Sequence, residues 1–378
     1  MKVAVAMSGG VDSSVAAALL KQQGFEVIGL TLRLFHEDRG GVSCCGGPLS
    51  ALKARNSAHA IGIRHYFKSA QELFSKKVID DFVSVYLSGG TPNPCVECNR
   101  HLKFSYLFDL ARDLGASALA TGHYARIEEA DGAPALLRGL DPLKDQSYFL
   151  YCLKKEQLGR VLFPLGALTK TEVRALAAGL ALPAALEPES RDICFVTEGN
   201  YAAWLEKTAG VQARKGEILD QNGKVMGSHS GFFNFTVGQR KGLGVYGAER
   251  LYVTEIRPGS NEVVVGPLEQ ARKSAFTLVS AADGPPKAEQ ASVSATPRAK
   301  TLGGGVNWLV KEPPTGARMR AQIRYRHKPA ACVFEKEYNG KLKFVFEEPQ
   351  FAVAKGQSAV FYDGDRVLGG GIIEDVSK

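Results

Sequence analysis

The residues best suited to bind an anion lie near the start of the chain, in the run Ser8–Ser14 (SGGVDSS). Glycines let backbone N–H groups approach a phosphate closely, and the serine hydroxyls supply further donors. Asp12 adds a carboxylate that suits a divalent metal or the far side of a phosphate. The run lacks both the Gly-Lys-Ser/Thr ending of a Walker loop and the glycine spacing of a dinucleotide fingerprint. It therefore indicates a phosphate-binding loop of another class.

This run is similar to the S-G-G-x-D-S/T loop of the PP-loop ATP pyrophosphatases. Those enzymes cleave ATP between the α- and β-phosphates and leave AMP on an oxygen of the substrate. An apolar, strand-like segment (Val3–Met7) precedes the loop and a helix-like segment (Val15–Leu20) follows it. A helix N-terminus adds backbone donors and a positive dipole end, so the loop stands where ATP binding needs it. The other interpretation is a tight turn capped by serine and aspartate.

Cysteines form the second group of reactive residues. Seven thiols in a cytoplasmic chain predict chemical or metal-binding roles rather than a disulfide scaffold. Cys95 and Cys98 form a C-x-x-C after two prolines, and Cys194 lies in the run Ser190–Phe195. A lone C-x-x-C is typical of zinc, redox or iron–sulfur sites, although zinc would need a second Cys or His pair. Buried, inert cysteines are the alternative. We assign no chemistry to Cys44 and Cys45, and predict that Cys152 and Cys332 are core residues.

The combination of these features narrows the chemistry. The net charge is +8, which favours a nucleic-acid partner. An AMP-transferring loop, thiols and a basic surface together predict adenylation of a carbonyl oxygen on a nucleic acid, followed by its displacement with sulfur. Adenylation is needed because an amide-like oxygen is a poor leaving group, and a thiolate or persulfide would be the nucleophile.

The elements that must position these groups follow from the pattern along the chain. Strand-like and helix-length segments alternate over residues 1–204, which predicts a doubly wound parallel α/β sheet. Residues 205–275 contain a hairpin signature and short strands, which predict a small, mostly-β central domain. Residues 276–378 predict a C-terminal β-barrel, after a looser connection over 281–305. In the barrel, a strand over Arg318–Arg326 is expected to carry four arginines on one face.

Over its whole length the chain resembles the bacterial tRNA-specific 2-thiouridylases of the PP-loop superfamily. The segments that carry the resemblance are ordered along the chain: Ala6–Ser13, Cys98-Asn99 with Lys103-Phe104, Thr121–Arg126, Asp141-Pro142 with Lys144–Leu150, Ser190–Phe195, Thr236–Gly244, Arg324–Arg326 and the tail from Gly356. Many ordered motifs are far more specific than the loop alone.

The resemblance implies ATP- and Mg²⁺-dependent 2-thiolation of the wobble uridine in the tRNAs for lysine, glutamate and glutamine. It implies a persulfide on Cys194, supplied by a sulfur-carrier protein fed by a cysteine desulfurase, with Cys98 assisting and a Cys98–Cys194 disulfide formed in each turnover. The ATP site would comprise Ala6, Met7, Ser8, Gly9, Gly10, Val11, Asp12, Ser13, Leu32 and Gly122. The residues expected to contact tRNA are Asn93, Pro94, Cys95, His123, Lys144, Asp145, Gln146, Arg324, Tyr325 and Gln357.

One position departs from the reference form of the family, which has Asp where this chain has Cys95. Three thiolates, on Cys95, Cys98 and Cys194, suit a 4Fe–4S cluster with one open iron, an alternative to the persulfide route. Two further alternatives stay open: a PP-loop ligase acting on a small molecule, and a non-catalytic RNA-binding protein. The sequence has no apolar run long enough to span a bilayer, so we expect a cytoplasmic protein with no membrane partner. We also expect a monomer.

Overall fold

The structure is a computed structural model that describes residues 1–35, 46–187, 193–196, 200–279, 305–337 and 341–377. Two compact units are present. The first unit comprises Met1–Ile79, Pro94–Tyr201 and Gly364–Val367. The second comprises Asp80–Asn93, Ala202–Asp363 and Leu368–Lys378. The predicted division at 204 and 275 stays a prediction, and Cys44 and Cys45 lie outside the described residues.

The described residues form helices and strands that we number in chain order. The α-helices are α1 (Val11–Gln22), α2 (Pro48–Ile61), α3 (Gln71–Phe74), α4 (Asp80–Leu87), α5 (Pro94–Cys98), α6 (Leu107–Asp113), α7 (Lys170–Gly179) and α8 (Tyr201–Ala209). The strands are β1 (Lys2–Ala6), β2 (Glu26–Arg33), β3 (Arg64–Ser69), β4 (Ala118–Ala120), β5 (Ala125–Ala130), β6 (Ala133–Arg138), β7 (Val161–Leu162), β8 (Gly216–Leu219), β9 (Val225–His229), β10 (Tyr252–Arg257), β11 (Glu262–Gly266), β12 (Arg272–Val279), β13 (Asn307–Trp308), β14 (Arg318–Gln322), β15 (Ala330–Lys336), β16 (Lys341–Phe351), β17 (Ser358–Asp363), β18 (Arg366–Ile372) and β19 (Asp375–Ser377).

A parallel sheet organises the first unit, as the alternating pattern predicts. Its strand order is β3-β2-β1-β4-β7, with Val3 in register with Val27 on one side and Ala118 on the other. Fully buried Val3 and Val5 of the central strand pack with Ala17 of α1. Because β1 is central and ends at the glycine run, the loop lies at the carboxyl edge, where open parallel sheets bind ligands.

Two helical regions of the first half are not uniformly α-helical. A π-helical turn at Ser75–Ile79 separates α3 from α4. A π-helical segment, Asn99–Tyr106, lies between α5 and α6. A π-helix is rare and is often found at functional sites, because the extra residue re-aims the side chains around it.

In the second unit, a four-stranded sheet contains the predicted hairpin. β8 and β9 pair antiparallel, and the sheet order is β10-β11-β8-β9. Gly223 takes φ of +83° in the hairpin turn, a conformation that glycine adopts without strain. Val263 and Val265 of β11 lie in the apolar core of this sheet.

The C-terminal strands of the second unit form an antiparallel sheet around a phenylalanine-rich core. Phe276, Phe344 and Phe361 stack in this core, with Phe344 and Phe361 ring centroids 4.2 Å apart. Cys332 is fully buried there, which confirms the prediction that it is a core residue. The connection expected over 281–305 lies outside the described residues, apart from its last residue.

The predicted arginine-bearing strand is shorter than expected. β14 ends at Gln322, and Arg326 takes φ of +66° in a turn closed by the bond from the His327 N–H to the Arg324 carbonyl (3.0 Å). Arg318 and Arg320 are exposed on the strand, whereas Arg324 lies beyond it. The single four-arginine face was therefore a wrong prediction, because the strand turns before the alternation is complete.

None of the helices in the described part of the chain combines the length and apolar character needed to cross a membrane.

Candidate active site

The glycine loop is closed by hydrogen bonds within its own seven residues. The Ser13 hydroxyl donates to the Gly10 carbonyl (3.2 Å) and accepts from the Ser8 N–H (3.2 Å). The Ser14 hydroxyl also donates to the Gly10 carbonyl (3.0 Å). Gly9 takes φ of +83°, and a Cβ there would lie 2.5 Å from the Ser50 carbonyl oxygen. The loop therefore has a fixed shape, with the N-terminus of α1 facing its mouth, which is the arrangement that binds phosphate.

Two residues from beyond the loop contact Asp12, whose side chain is about one-third exposed. The Lys170 ammonium donates to both carboxylate oxygens (2.7 and 2.8 Å), and the Tyr124 hydroxyl donates to one of them (2.8 Å). Lys170 begins α7, after an N-cap at Thr169 that forms a capping box with Glu172. The carboxylate is therefore held by a buried cation and a phenol.

The remaining predicted ATP-site residues surround the end of β1. Met7 is buried, and its carbonyl accepts from the Thr31 hydroxyl (2.6 Å), next to Leu32 on β2. Gly122 lies against the loop, because a Cβ there would meet backbone atoms of Asp12 and Ser13 at 2.8 Å. The structure brings Gly122 and the loop together, although more than a hundred residues separate them.

His123 follows Gly122 and is buried. Its Nδ1 is 2.7 Å from the Thr121 hydroxyl, and its ring packs near Phe104 and Phe163. Burial, reinforced by the positive charge of Lys103, holds the pKa of His123 well below 6.5. The ring is therefore a neutral imidazole, which can exchange hydrogen bonds with a base but cannot neutralise a phosphate.

The predicted tRNA-contacting run Lys144–Gln146 is tied to the same strand end. Gln146 binds the backbone of Tyr124 twice, through its own N–H (2.9 Å) and its side-chain oxygen (3.1 Å). Asp145 is buried and accepts four bonds, from the Arg138 guanidinium, the Gly139 N–H and the N–H and hydroxyl of Ser147. This arrangement assigns Asp145 to shaping the loop, and its direct contact with RNA stays a prediction. Lys144 is partly exposed.

Cys95 and Cys98 lie on the short helix α5, Cys95 exposed and Cys98 partly buried. Between them, Glu97 is buried and binds the Arg100 guanidinium (2.9 Å) and His101 (3.2 Å). Burial by itself lowers the pKa of Arg100. The phenol of Tyr151 and the Glu97 carboxylate together have the larger, opposite effect, so the pKa of Arg100 lies above its usual value. A buried ion pair thus holds the helix that presents Cys98.

Asn99 attaches the cysteine helix to a remote segment. Its side-chain amide donates to the Phe149 carbonyl (2.9 Å), and the Asn99 residue itself is almost fully buried. Cys152 lies in the same region and is buried, which confirms that it is a core residue. Burial raises the pKa of the Cys152 thiol to about 12, so at neutral pH it is an unreactive thiol.

Cys194 is partly buried beside Phe195, whose ring meets Phe74 edge to face at 5.8 Å. Cys98 and Cys194 are both thiols in this structure, not halves of a disulfide. Across the described residues, no three His, Cys, Asp or Glu side chains come together as a metal-binding group. The alternative of a 4Fe–4S cluster on Cys95, Cys98 and Cys194 stays a prediction.

The other predicted tRNA-contacting residues include Pro94, which is buried at the start of α5. In the second unit, the Gln357 side chain donates to the Thr91 and Pro92 carbonyls (3.2 Å each), and the Asn93 amide donates to the Ser358 hydroxyl (3.5 Å). These bonds hold the proline-containing segment that leads to the cysteine helix. Their role toward RNA stays a prediction.

Arg324 and Tyr325 follow β14 in the second unit and are partly buried. The Arg324 guanidinium donates to the Phe351 carbonyl (2.8 Å) and lies 6.0 Å from the centre of the Phe351 ring. Arg326 approaches the face of Tyr325 at 5.7 Å. A tyrosine in a basic turn is suited to stacking on an exposed base, although its contact with tRNA stays a prediction.

Sequence reasoning missed Lys170 and Arg100. Lys170 has a local signal, since Thr-Lys-Thr-Glu at 169–172 is a capping-box pattern that predicts a helix start. That signal places the lysine on a helix but does not connect it with Asp12. Arg100 has a local signal too, since Glu97 precedes it by the three residues of a helical ion pair, but its second partner, Tyr151, is remote in sequence.

Models of known families cover most of the chain. Residues 1–198 match the tRNA methyl transferase HUP domain, residues 203–267 the tRNA methyl transferase PRC-barrel domain, and residues 299–373 the Aminomethyltransferase beta-barrel domain. Together with the parallel sheet of the first unit, these matches confirm the predicted fold class: an α/β domain, a small β domain and a C-terminal β-barrel.

Curated relatives match end to end. The tRNA-specific 2-thiouridylase MnmA of Geotalea uraniireducens is 44% identical, over 99% of this chain and 95% of that protein. The proteins of the same name from Zymomonas mobilis and Carboxydothermus hydrogenoformans are 44% and 43% identical, over 100% and 99% of this chain and 94% and 97% of theirs. With matches of this identity and coverage, the chain belongs to the family of tRNA-specific 2-thiouridylases.

Proposed function

We propose that this protein uses ATP to replace the C2 oxygen of the wobble uridine of tRNA with sulfur. One observation carries the proposal: a closed glycine loop at a helix N-terminus lies in the same compact unit as Cys98 and Cys194. The names of the relatives support tRNA as the substrate and 2-thiouridine as the product. The resemblance supports the tRNAs for lysine, glutamate and glutamine.

The first step is adenylation. The C2 oxygen of the uridine attacks the α-phosphorus of ATP, the bond to the β-phosphate oxygen breaks, and pyrophosphate leaves with the bonding electron pair. The loop N–H groups and the Ser8 and Ser13 hydroxyls would bind the phosphates, and Asp12 would hold the Mg²⁺ that accompanies ATP. The remaining contacts proposed for ATP come from Ala6, Met7, Gly9, Gly10, Val11, Leu32 and Gly122.

Sulfur transfer follows. The terminal sulfur of a Cys194 persulfide attacks C2, and AMP leaves with the former carbonyl oxygen. The Cys98 thiolate then attacks the inner sulfur of Cys194, which breaks the sulfur–sulfur bond, leaves the sulfur on the base and forms a Cys98–Cys194 disulfide. An external thiol reductant returns both cysteines to thiols.

The tRNA is held, in this proposal, by polar and aromatic side chains that reach a single-stranded anticodon loop. Neutral His123 would bind the base, Lys144 a phosphate, and Tyr325 would stack on an unpaired base. The complete proposed set is Asn93, Pro94, Cys95, His123, Lys144, Asp145, Gln146, Arg324, Tyr325 and Gln357. A sulfur-carrier protein fed by a cysteine desulfurase would load Cys194, and the enzyme would act as a cytoplasmic monomer.

The experiment combines purified protein, MgATP, unmodified tRNA and a persulfide donor, and measures 2-thiouridine by nucleoside mass spectrometry. The proposal predicts thiolated wobble uridine and equimolar AMP and pyrophosphate. A small-molecule ligase would release pyrophosphate only when a small carbonyl substrate is added, whether or not tRNA is present, and a non-catalytic RNA-binding protein would release none with tRNA. Either result would contradict the proposal.

A cysteine series separates the persulfide route from a cluster. The persulfide route predicts that Cys95→Ala keeps most activity, whereas Cys98→Ala and Cys194→Ala abolish thiolation. Iron and acid-labile sulfide are measured on each variant after purification without oxygen. Equal loss of thiolation in all three variants, together with a stoichiometric cluster in the wild type that Cys95→Ala removes, would contradict the persulfide route and favour the cluster.

A further inference from the structure

The two cysteines of α5 lie on the side of that helix that is not packed. Among its five residues, Cys95 is exposed and Cys98 is partly buried, whereas the other three are buried. Three residues advance an α-helix by about 300°, so the two thiols lie about 60° apart around the axis, while Glu97 lies about 160° from Cys95. The burial of Glu97 and its ion pair with Arg100 therefore turn both thiols away from the packed side.

The spacing of the two thiols suits a disulfide within one helical turn. Cα atoms three residues apart in an α-helix are about 5 Å apart, which lies inside the range of roughly 4.4–6.8 Å found in disulfides. Their Cβ atoms, about 5–6 Å apart, must approach by about 1–2 Å to form the bond. A bond between Cys95 and Cys98 therefore needs only a small local movement.

The three reactive cysteines differ in how easily a second protein can reach them. Cys98 and Cys194 are both partly buried, whereas Cys95 is exposed. Access to the attacked sulfur limits the rate of thiol–disulfide exchange. A disulfide between Cys98 and Cys194 would therefore be a poor target for a protein reductant, and Cys95 is the thiol that could bring the oxidised state to the surface.

We propose that Cys95 is the resolving cysteine of this enzyme. Its thiolate attacks the Cys98 sulfur of the Cys98–Cys194 disulfide, a Cys95–Cys98 bond forms, and Cys194 leaves as a thiolate with the electron pair of the broken bond. The exchange needs no oxidant or reductant, and it frees Cys194 for the next persulfide. A thioredoxin-type dithiol then reduces the Cys95–Cys98 bond and is itself oxidised to a disulfide. The proposal rests on the proposed function, which forms the Cys98–Cys194 disulfide.

The first test maps the disulfide after one turnover. Persulfide-loaded enzyme, freed of the donor, is mixed with tRNA and MgATP, quenched in acid, alkylated with N-ethylmaleimide and digested with trypsin. One peptide, Val78–Arg100, contains both Cys95 and Cys98, and Cys194 lies in another, at 192–207. We expect the first peptide to carry an internal disulfide and Cys194 to be alkylated, in proportion to the thiolated tRNA. A cross-link between the two peptides, with Cys95 alkylated, would overturn the proposal.

The second test removes the resolving thiol. Because Cys95 is exposed, Cys95→Ser is expected to fold, to stop at the Cys98–Cys194 disulfide and to be reduced about tenfold more slowly by a thioredoxin-type dithiol. Cys152→Ala is the matched control, since it removes a thiol of the same unit whose pKa burial raises to about 12. This control should form and lose the Cys95–Cys98 bond as the wild type does. Equal rates of reduction in Cys95→Ser and the wild type would overturn the proposal.

The third test needs neither ATP nor tRNA. Cys194→Ala is oxidised with glutathione disulfide, and we expect the Cys95–Cys98 bond to form with release of glutathione. Glutathione that stays attached to Cys95, with Cys98 still a thiol, would overturn the proposal. The two levels of inference can then fail separately. A wild type that forms the Cys95–Cys98 bond with glutathione disulfide but thiolates no tRNA would overturn the proposed function, whereas thiolated tRNA with Cys98–Cys194 as the final disulfide would overturn the role of Cys95 alone.

Discussion

The glycine loop and the cysteine helix of the first unit are both short, but different interactions hold them. The loop is closed by bonds among Ser8, Gly10 and Ser13, which lie within a few residues of one another. The cysteine helix also contains a local pair, Glu97 with Arg100, but remote groups hold it: Asn99 binds a carbonyl 50 residues away, and the phenol of Tyr151 binds Arg100. An anion site can thus be built locally, whereas the thiol site needs the assembled unit. Four predictions test this contrast, in order of decreasing effect.

The largest effect is expected at Gly122, a remote residue pressed against the loop backbone. In Gly122→Ala the new methyl group would lie 2.8 Å from backbone atoms of Asp12 and Ser13, so the loop must shift. We expect ATP affinity to fall by about a hundredfold, because backbone donors lose their positions. Isothermal titration calorimetry with ATP measures this affinity. Gly179→Ala is the control, since a Cβ there meets nothing within 4 Å, and equal affinities in the two variants would refute the close approach.

The second prediction concerns the cysteine helix. Arg100→Met leaves the buried Glu97 carboxylate without its main cation, which should lower the free energy of unfolding by about 3 kcal/mol. Sulfur transfer should fall more than pyrophosphate release, because the loop is held by other contacts. Arg112→Met is the matched control: Arg112 pairs with Asp109 at the same three-residue spacing but is more than half exposed, so its loss should cost about 0.5 kcal/mol. Chemical denaturation of both variants measures the two losses of unfolding free energy, and equal losses would contradict a buried ion pair at Arg100.

The third prediction is a pH dependence of stability. Since burial holds the pKa of His123 well below 6.5, the folded state resists a proton that the unfolded state accepts. The contribution of His123 is therefore complete above about pH 6.5 and is lost as pH falls below it toward the folded-state pKa. Melting curves between about pH 7 and pH 5 should show a steeper decline for the wild type than for His123→Gln. Parallel curves would contradict a buried neutral imidazole.

The smallest effect is expected at Tyr124. Tyr124→Phe removes one hydroxyl donor to Asp12, and Lys170 still binds both carboxylate oxygens. A single hydrogen bond to a charged group contributes about 1.5 kcal/mol, so ATP affinity should fall by about tenfold at most. A loss as large as that of Gly122→Ala would mean that the phenol, not the ammonium, holds the carboxylate.

Much of the fold could be predicted because its signals are local. The strand–loop–helix start, the parallel sheet, the hairpin at 216–229 and the buried Cys152 and Cys332 all follow from patterns within a few residues. The arginine strand was predicted too long, because alternation alone cannot show where a chain turns after Gln322. The resemblance named Asp145 as a tRNA contact without indicating its four protein donors.

By itself, then, the sequence determined which loop suits a phosphate and which family the motifs belong to, and it predicted which thiols carry sulfur. Only the tertiary structure decided the electrostatics of the site, by joining Lys170 to Asp12 across 158 residues and by placing the phenol of Tyr151 beside Arg100. The physical reason is that hydrogen-bonding groups and backbone conformations act over a few residues, whereas a buried charge is stabilised by whichever opposite charge folding brings beside it.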